Sequence, residues 1–299
     1  MGTRFDVVFP GMETSFAQSI FNEIKTEVQR LEKKLSRFLS ESIIYEINQN
    51  AGKKDVNVDK EVWEVLTICE KYYHATLGFF DISIFPLMQL WKIKDEGMDK
   101  NIQPSGNEIC NKLEITGMKH VRLNSENFSV KFDRSGIEID LGGFGKGYAL
   151  EQVKNIIKKH NVKNAFISFG ESSILALGHH PFGKNWEIGI QHIFEPGNSV
   201  FTFQMKDSSL STSGISYFNK QVEIKKFGHV INPKTGYPVK GLRTVSVTSG
   251  SPVKAEILST ALLVADFRDK PVILQNFPGC RAVEIDYEKN RKASISYLN

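Results

Sequence analysis

Behind Ser15 the apolar residues Phe16, Ile20, Ile24, Val28, Leu31 and Leu35 recur at steps of three and four. That spacing lays one apolar stripe along a helix, and Ser15 with Gln18 three places on reads as its capping box. A second helix is predicted over about 60 to 75, with Val62, Leu66, Cys69 and Tyr73 on one side and an end before Gly78. Asn127 to Phe132 sets Phe128, Val130 and Phe132 on one face, and Gly136 to Leu141 alternates similarly, so the two are predicted as paired strands. The second runs into Gly142-Gly143-Phe144-Gly145-Lys146-Gly147 and then a helix from about 148 to 159. Further strands are predicted at Ala165 to Phe169, Trp186 to Ile190, Ser199 to Met205 and Thr244 to Thr248. A last helix starts at Ser251-Pro252, with Ser as cap and Pro at the first position. No low-complexity linker or fixed-period repeat interrupts the pattern, which makes the chain a single α+β domain over 1–299. Two lobes with a ligand cleft between them remain open as a variant of that architecture.

Composition changes this picture little. In 299 residues, 40% hydrophobic and 24% charged, no stretch approaches the run of about 18 apolar residues that spans a bilayer. The formal charge of +4 comes from scattered Lys and Arg, which argues against a nucleic-acid stripe and leaves room for an anionic ligand. Cys69, Cys110 and Cys280 are odd in number and widely spaced, so neither a disulfide framework nor a cysteine zinc site is expected. The chain opens on Met1-Gly2-Thr3 without a basic-then-apolar leader, which fits either a cytoplasmic protein or one whose signal was removed.

Five constellations carry candidate chemistry. Asp140 to Gly147 combines glycines that let backbone approach a ligand with a helix N-terminus suited to anionic oxygens. It matches neither the Walker A nor the dinucleotide spacing, so a plain strand-to-helix turn comes first on these residues alone. Glu256 and Thr260 stand at i and i+4 on one helix face, two hard oxygen ligands suited to Mg²⁺, or simply an acid favoured near a helix start. His229 precedes the rigid turn Asn232-Pro233-Lys234-Thr235-Gly236 and is a candidate base or a structural histidine. Ser211-Thr212-Ser213-Gly214 reads as a hydroxyl cluster for phosphate or flavin, or as a turn. Phe79-Phe80-Asp81, Phe85-Pro86-Leu87 and Leu90-Trp91 offer flat apolar surface for an aromatic ligand, with core packing as the default.

Together, Phe80-Asp81-Ile82-Ser83 with Pro86-Leu87 and Trp91, Asp140 to Gly147, Thr212-Ser213-Gly214, His229 to Pro238 and Glu256 to Thr260 resemble, in that order, the ApbE-like FAD:protein FMN transferases. The resemblance implies a T-fold-like α+β body that holds FAD beside Mg²⁺ and passes FMN to a Thr or Ser of an acceptor flavoprotein, releasing AMP. It further implies FAD contacts at Met1, Phe38, Phe79, Phe80, Asp81, Asp140, Lys146, Ser213 and Val230. The ion would lie on the Gly143 carbonyl, Glu256 and Thr260, with Lys146 as a second positive contact and His229 as the base for the acceptor hydroxyl. Glu256 where such proteins more often have Asp, Asn232 where many have Asp, and Glu171-Ser172 in place of a glycine-rich continuation depart from the pattern. An FAD pyrophosphatase and a non-catalytic FAD-binding protein are the alternatives. The same resemblance implies an exported or membrane-anchored protein whose leader is absent from this sequence, against a cytoplasmic one.

Overall fold

The structure is a computed structural model that describes residues 3–94, 97–98, 103–215, 230–288 and 292–298. It opens with β1 (Phe5–Val8), α1 (Thr14–Leu35), α2 (Ile43–Asn50), β2 (Val56–Asn57) and α3 (Lys60–Ala75). Then come α4 (Phe85–Leu90), β3 (Ile93–Lys94), β4 (Gly97–Met98), α5 (Gly106–Leu113), β5 (Val121–Asn124), β6 (Ser129–Phe132) and α6 (Gly145–Lys159). The strands β7 (Ala165–Phe169), β8 (Ser173–Leu177), β9 (Trp186–His192), β10 (Glu195–Met205), β11 (Ser208–Ile215) and β12 (Arg243–Ser249) follow. Helices α7 (Pro252–Val264) and α8 (Asp269–Gln275) and strands β13 (Arg281–Tyr287) and β14 (Ala293–Leu298) complete the order. Helices and strands are mixed along the chain, as the α+β reading expects.

A seven-stranded antiparallel sheet in the order β1-β7-β8-β11-β12-β13-β14 is the centre of the molecule. Alternation along its strands sends side chains to two cores. Leu175, Val245 and Val247 pack with α1, α3, α6 and α7 on one face, through Ile20, Ile24, Leu66, Val153 and Leu262. Ile174, Ala176, Leu210, Val283 and Ile285 meet the β9–β10 hairpin on the other, through Trp186, Ile188, Phe203 and Met205.

The two long helices lie where the apolar spacing puts them, but α1 is capped by Glu13, whose carboxylate accepts from the N–H groups of Ser15 and Phe16, and not by Ser15. Helix α6 begins at Gly145, three residues before the sequence expectation, and α7 is followed by α8 and two more strands. Gly136 to Leu141 is in no strand; β6 pairs with β5 and β2 instead. Its backbone is satisfied another way, because the Asn48 amide donates to the Ile139 carbonyl and accepts from the Ile139 N–H, at 3.0 and 2.8 Å, while the Asp140 N–H reaches the Ile82 carbonyl. Among the described residues no helix is long and apolar enough to cross a membrane.

Candidate functional site

Helix α7 is apolar on every side and fills the space between the sheet and α6. Ser251 caps it through the Lys254 N–H and Pro252 fixes its first turn. Glu256 is the one charged side chain among its buried residues, a carboxylate only 4% exposed. Burial of that charge requires partners. Lys146 Nζ donates to Oε1 at 2.8 Å, and Ser173 and Ser211 donate to Oε2 at 2.6 and 3.4 Å. One turn on, Thr260 Oγ1 lies 3.3 Å from Ser213 Oγ, and Ser259 bridges Ser211 and Ser213 at 3.1 and 2.9 Å. The segment 211–214 is therefore strand and not turn, and its period of two aims Ser211 and Ser213 at α7 while Thr212 bonds Ser246 on the opposite side.

The glycine loop brings Lys146 to this acid. Asp140 takes the Gly142 N–H on one oxygen, at 2.6 Å, and the Arg37 guanidinium on the other. Leu141 accepts from Phe144 and Gly145, turning the chain into α6. Gly147 then packs on α7 so closely that an added Cβ would stand 2.8 Å from the Glu256 Cβ and from the Pro252 carbonyl oxygen. Gly143 faces Thr260, with 3.9 Å between its missing Cβ position and Oγ1.

A third wall comes from the end of α3, where Leu77 and Gly78 take left-handed conformations and the Thr76 hydroxyl accepts from the Phe80 N–H. This swings Phe79, Phe80 and Asp81 inward. Asp81 accepts from both the N–H and the hydroxyl of Ser83, at 2.8 and 2.7 Å. Burial nonetheless pushes its carboxyl up to about 6, against the lowering effect of those bonds and of the Lys119 charge. Opposite, the turn after Val230 is held by Asn232, whose side-chain oxygen accepts from the Lys234 N–H, and by Trp91 Nε1, which donates to the Gly236 carbonyl at 2.7 Å. The Lys234 ammonium sits 3.8 Å over the Phe79 ring.

These walls enclose a cleft of about 470 Å³ lined by Phe79, Phe80, Asp81, Asp140, Gly143, Lys146, Ser213, Val230, Glu256 and Thr260 among others. A depression of about 600 Å³ between α1 and α6 is larger, but its charged lining residues are already paired, Glu23 with Lys159 and Glu27 with Arg30. Glycine backbone, a lysine, a buried acid and apolar rings converge only in the first of these two. Residues 1–283 match the ApbE family.

The chain belongs to the ApbE family. The FAD:protein FMN transferase of Buchnera aphidicola subsp. Schizaphis graminum is 29% identical over 277 residues, covering 91% of this chain and 80% of that protein. The protein of the same name from Escherichia coli (strain K12) is 25% identical over 269 residues, covering 88% and 76%. Among solved structures, the flavin transferase ApbE from Vibrio cholerae shares the fold with a TM-score of 0.82 at 21% identity, over 100% of this chain and 94% of that one. The ApbE protein from Thermotoga maritima gives a TM-score of 0.81 at 27% identity, over 98% and 92%.

Nearly all the site residues expected from the family resemblance gather in the cleft. Phe38 does not line it; its ring is 70% exposed and stacks on the Arg37 guanidinium, which Phe85 covers from the other side and which pairs with Asp140. Met1 and His229 lie outside the described residues. Ser173 and Ser259 went unremarked in the sequence. Ser173 opens a strand buried on both faces, where no alternation marks it, whereas Ser259 is flagged only by being polar at the buried position before Thr260 in α7.

Proposed function

We propose that the cleft binds FAD and that the protein transfers its FMN half to a Thr or Ser hydroxyl of an acceptor flavoprotein, with AMP as leaving group. The reading takes 1–299 as a single flavin transferase domain. The observation that carries it is the convergence of Lys146, the buried carboxylate of Glu256 and the glycine loop on one wall of a cleft whose other wall is Phe79 and Phe80. Its volume of about 470 Å³ is within the common range for cofactor sites, about 300–1,000 Å³.

The acceptor oxygen attacks the phosphorus of the FMN phosphate, the bond to the oxygen bridging to AMP breaks, and the hydroxyl proton passes to a base, for which His229 is the candidate. Lys146 faces the pyrophosphate and offsets its charge, while Phe79 and Phe80 supply flat surface for a ring. Asp81, whose carboxyl burial raises to about 6, accepts hydrogen bonds from the bound dinucleotide. Glu256, Thr260 and the Gly143 carbonyl are hard oxygen donors that fit a magnesium ion. One carboxylate is enough for Mg²⁺, which fills its remaining positions with water and substrate phosphate oxygens. When bound, the ion would polarise the pyrophosphate and offset charge on the departing AMP.

The test is in-gel flavin fluorescence of candidate acceptor proteins after incubation with FAD and Mg²⁺, with AMP measured alongside. Labelled acceptor is expected from the wild type and none from Glu256→Ala. AMP release without label would make the protein an FAD pyrophosphatase, and neither product with any acceptor would sink the enzyme reading.

A further inference from the structure

Within the cleft the two members of the central ion pair are held very differently. Glu256 is fixed by α7 and by hydroxyls from two strands, and its side chain is 5% exposed. Lys146 is 26% exposed, on a flexible stem in the first turn of α6. Gly147, pressed against the Glu256 Cβ, anchors the backbone of α6, so the lysine side chain is the part free to swing. Its ammonium lies 2.8 Å from Oε1 of Glu256. The other oxygen, Oε2, already accepts from Ser173 and Ser211, so a divalent cation that takes Oε1 has to share it with the ammonium or displace it, and two cations a few ångströms apart in a poorly solvated site repel strongly.

We infer that Lys146 makes capture of a divalent cation at Glu256 conditional on a pyrophosphate: the ammonium guards Oε1 until phosphate oxygens of the dinucleotide draw it away. This rests on reading the cleft as an FAD and divalent-ion site. Because binding free energies are reciprocal, ion and dinucleotide each tighten the other by the same factor. A cation alone gains little hold, and the site assembles only when the substrate brings the oxygens that complete both coordination shells.

The experiment is titration of the full chain with Mn²⁺ alone, the free ion being counted by its electron paramagnetic resonance signal. Lys146→Met is expected to tighten Mn²⁺ by about tenfold over the wild type without any nucleotide, and Lys146→Met/Glu256→Gln to lose that gain. Lys146→Gln serves as the second variant should the methionine protein not fold, judged by circular dichroism. No gain in either single variant overturns the inference, and so does a gain that survives Glu256→Gln, since the ion then sits elsewhere. FAD binding by the wild type, read by quenching of flavin fluorescence, separates the two failures. Retained binding with no gain in Mn²⁺ affinity sinks only the guarding role, whereas loss of FAD binding sinks the proposed function itself.

Discussion

Lys270–Glu284 and Lys146–Glu256 are pairs of the same chemistry in opposite surroundings. Lys270, on α8, lies 2.5 Å from Glu284 of β13, both side chains are less than a tenth exposed, and Arg243 of β12 adds a second cation at 2.8 Å. That acid is closed off with two cations, one of which, Arg243, it shares with Asp286. In the cleft Glu256 has one ammonium and two hydroxyls, and Asp81 has the hydroxyl and N–H of Ser83 with no ion pair among the described residues. The acids become less well compensated toward the cleft, which is what a site must keep in reserve if a ligand is to supply the missing partners.

The largest effect comes from removing the lysines. Lys270→Met leaves Glu284 buried with a single cation and should cost about 3 kcal/mol of stability in urea denaturation. Lys146→Met strips Glu256 comparably, but there a divalent cation can take the place of the ammonium. Millimolar Mg²⁺ should therefore restore stability to Lys146→Met and leave Lys270→Met unchanged, because a ligand stabilises only the state that binds it. Equal responses to Mg²⁺ would erase the distinction between the two regions.

Asp81→Asn gives the next effect and has a defined sign with pH. In the folded protein the carboxyl titrates at about 6, against an ordinary value of 3.8 when unfolded. The folded state holds the proton more tightly, so stability is greatest below the unfolded value, falls as pH rises from about 4 to 6, and is level above that. The asparagine variant lacks this fall because an amide does not titrate, and its side-chain oxygen can still accept from Ser83. It should exceed the wild type by about 3 kcal/mol above pH 6 and match it below pH 4, with weaker FAD binding as the functional counterpart. Thermal melts across that range check it; parallel pH profiles would show that the acid is not held near neutrality.

How much of this was legible beforehand follows from where the signal resides. The stripe from Phe16 to Leu35 and the Ser251-Pro252 start of α7 are local patterns, and both held, although Glu13 and not Ser15 caps α1. Gly136 to Leu141 alternates like a strand, yet Asn48, some ninety residues earlier, takes its hydrogen bonds, a tertiary choice that no local pattern records. Strand β8 is buried on both faces and β14 is largely exposed, so neither alternates. The positions of the cleft acids were readable through the family motifs. Their compensation was not, because Lys146 and Glu256 are 110 residues apart and their meeting depends on Gly147 letting α6 touch α7. Asn232 looked like the loss of a charge, and the structure gives it another task, as an acceptor for the Lys234 N–H that Asp would perform equally.

Gly147→Ala tests that joint and has the smallest effect on stability. The added methyl would stand 2.8 Å from the Glu256 Cβ and from the Pro252 carbonyl oxygen, and 3.1 Å from the Val253 Cα. Two of these atoms are backbone of α7 and cannot turn aside, so the helices must separate. Overpacking of this kind costs about 2 kcal/mol, and the better helix propensity of alanine returns about 1, leaving a net loss of about 1 kcal/mol. Function should suffer more than stability, because a shift of a few tenths of an ångström between α6 and α7 moves Lys146 relative to Glu256 and Gly143 relative to Thr260, and positioning governs transfer at phosphorus. The expected outcome is a protein that melts almost normally and still quenches flavin fluorescence but labels acceptor poorly. Full labelling would mean that the contact at Gly147 sets the packing of two helices and nothing in the chemistry of the cleft.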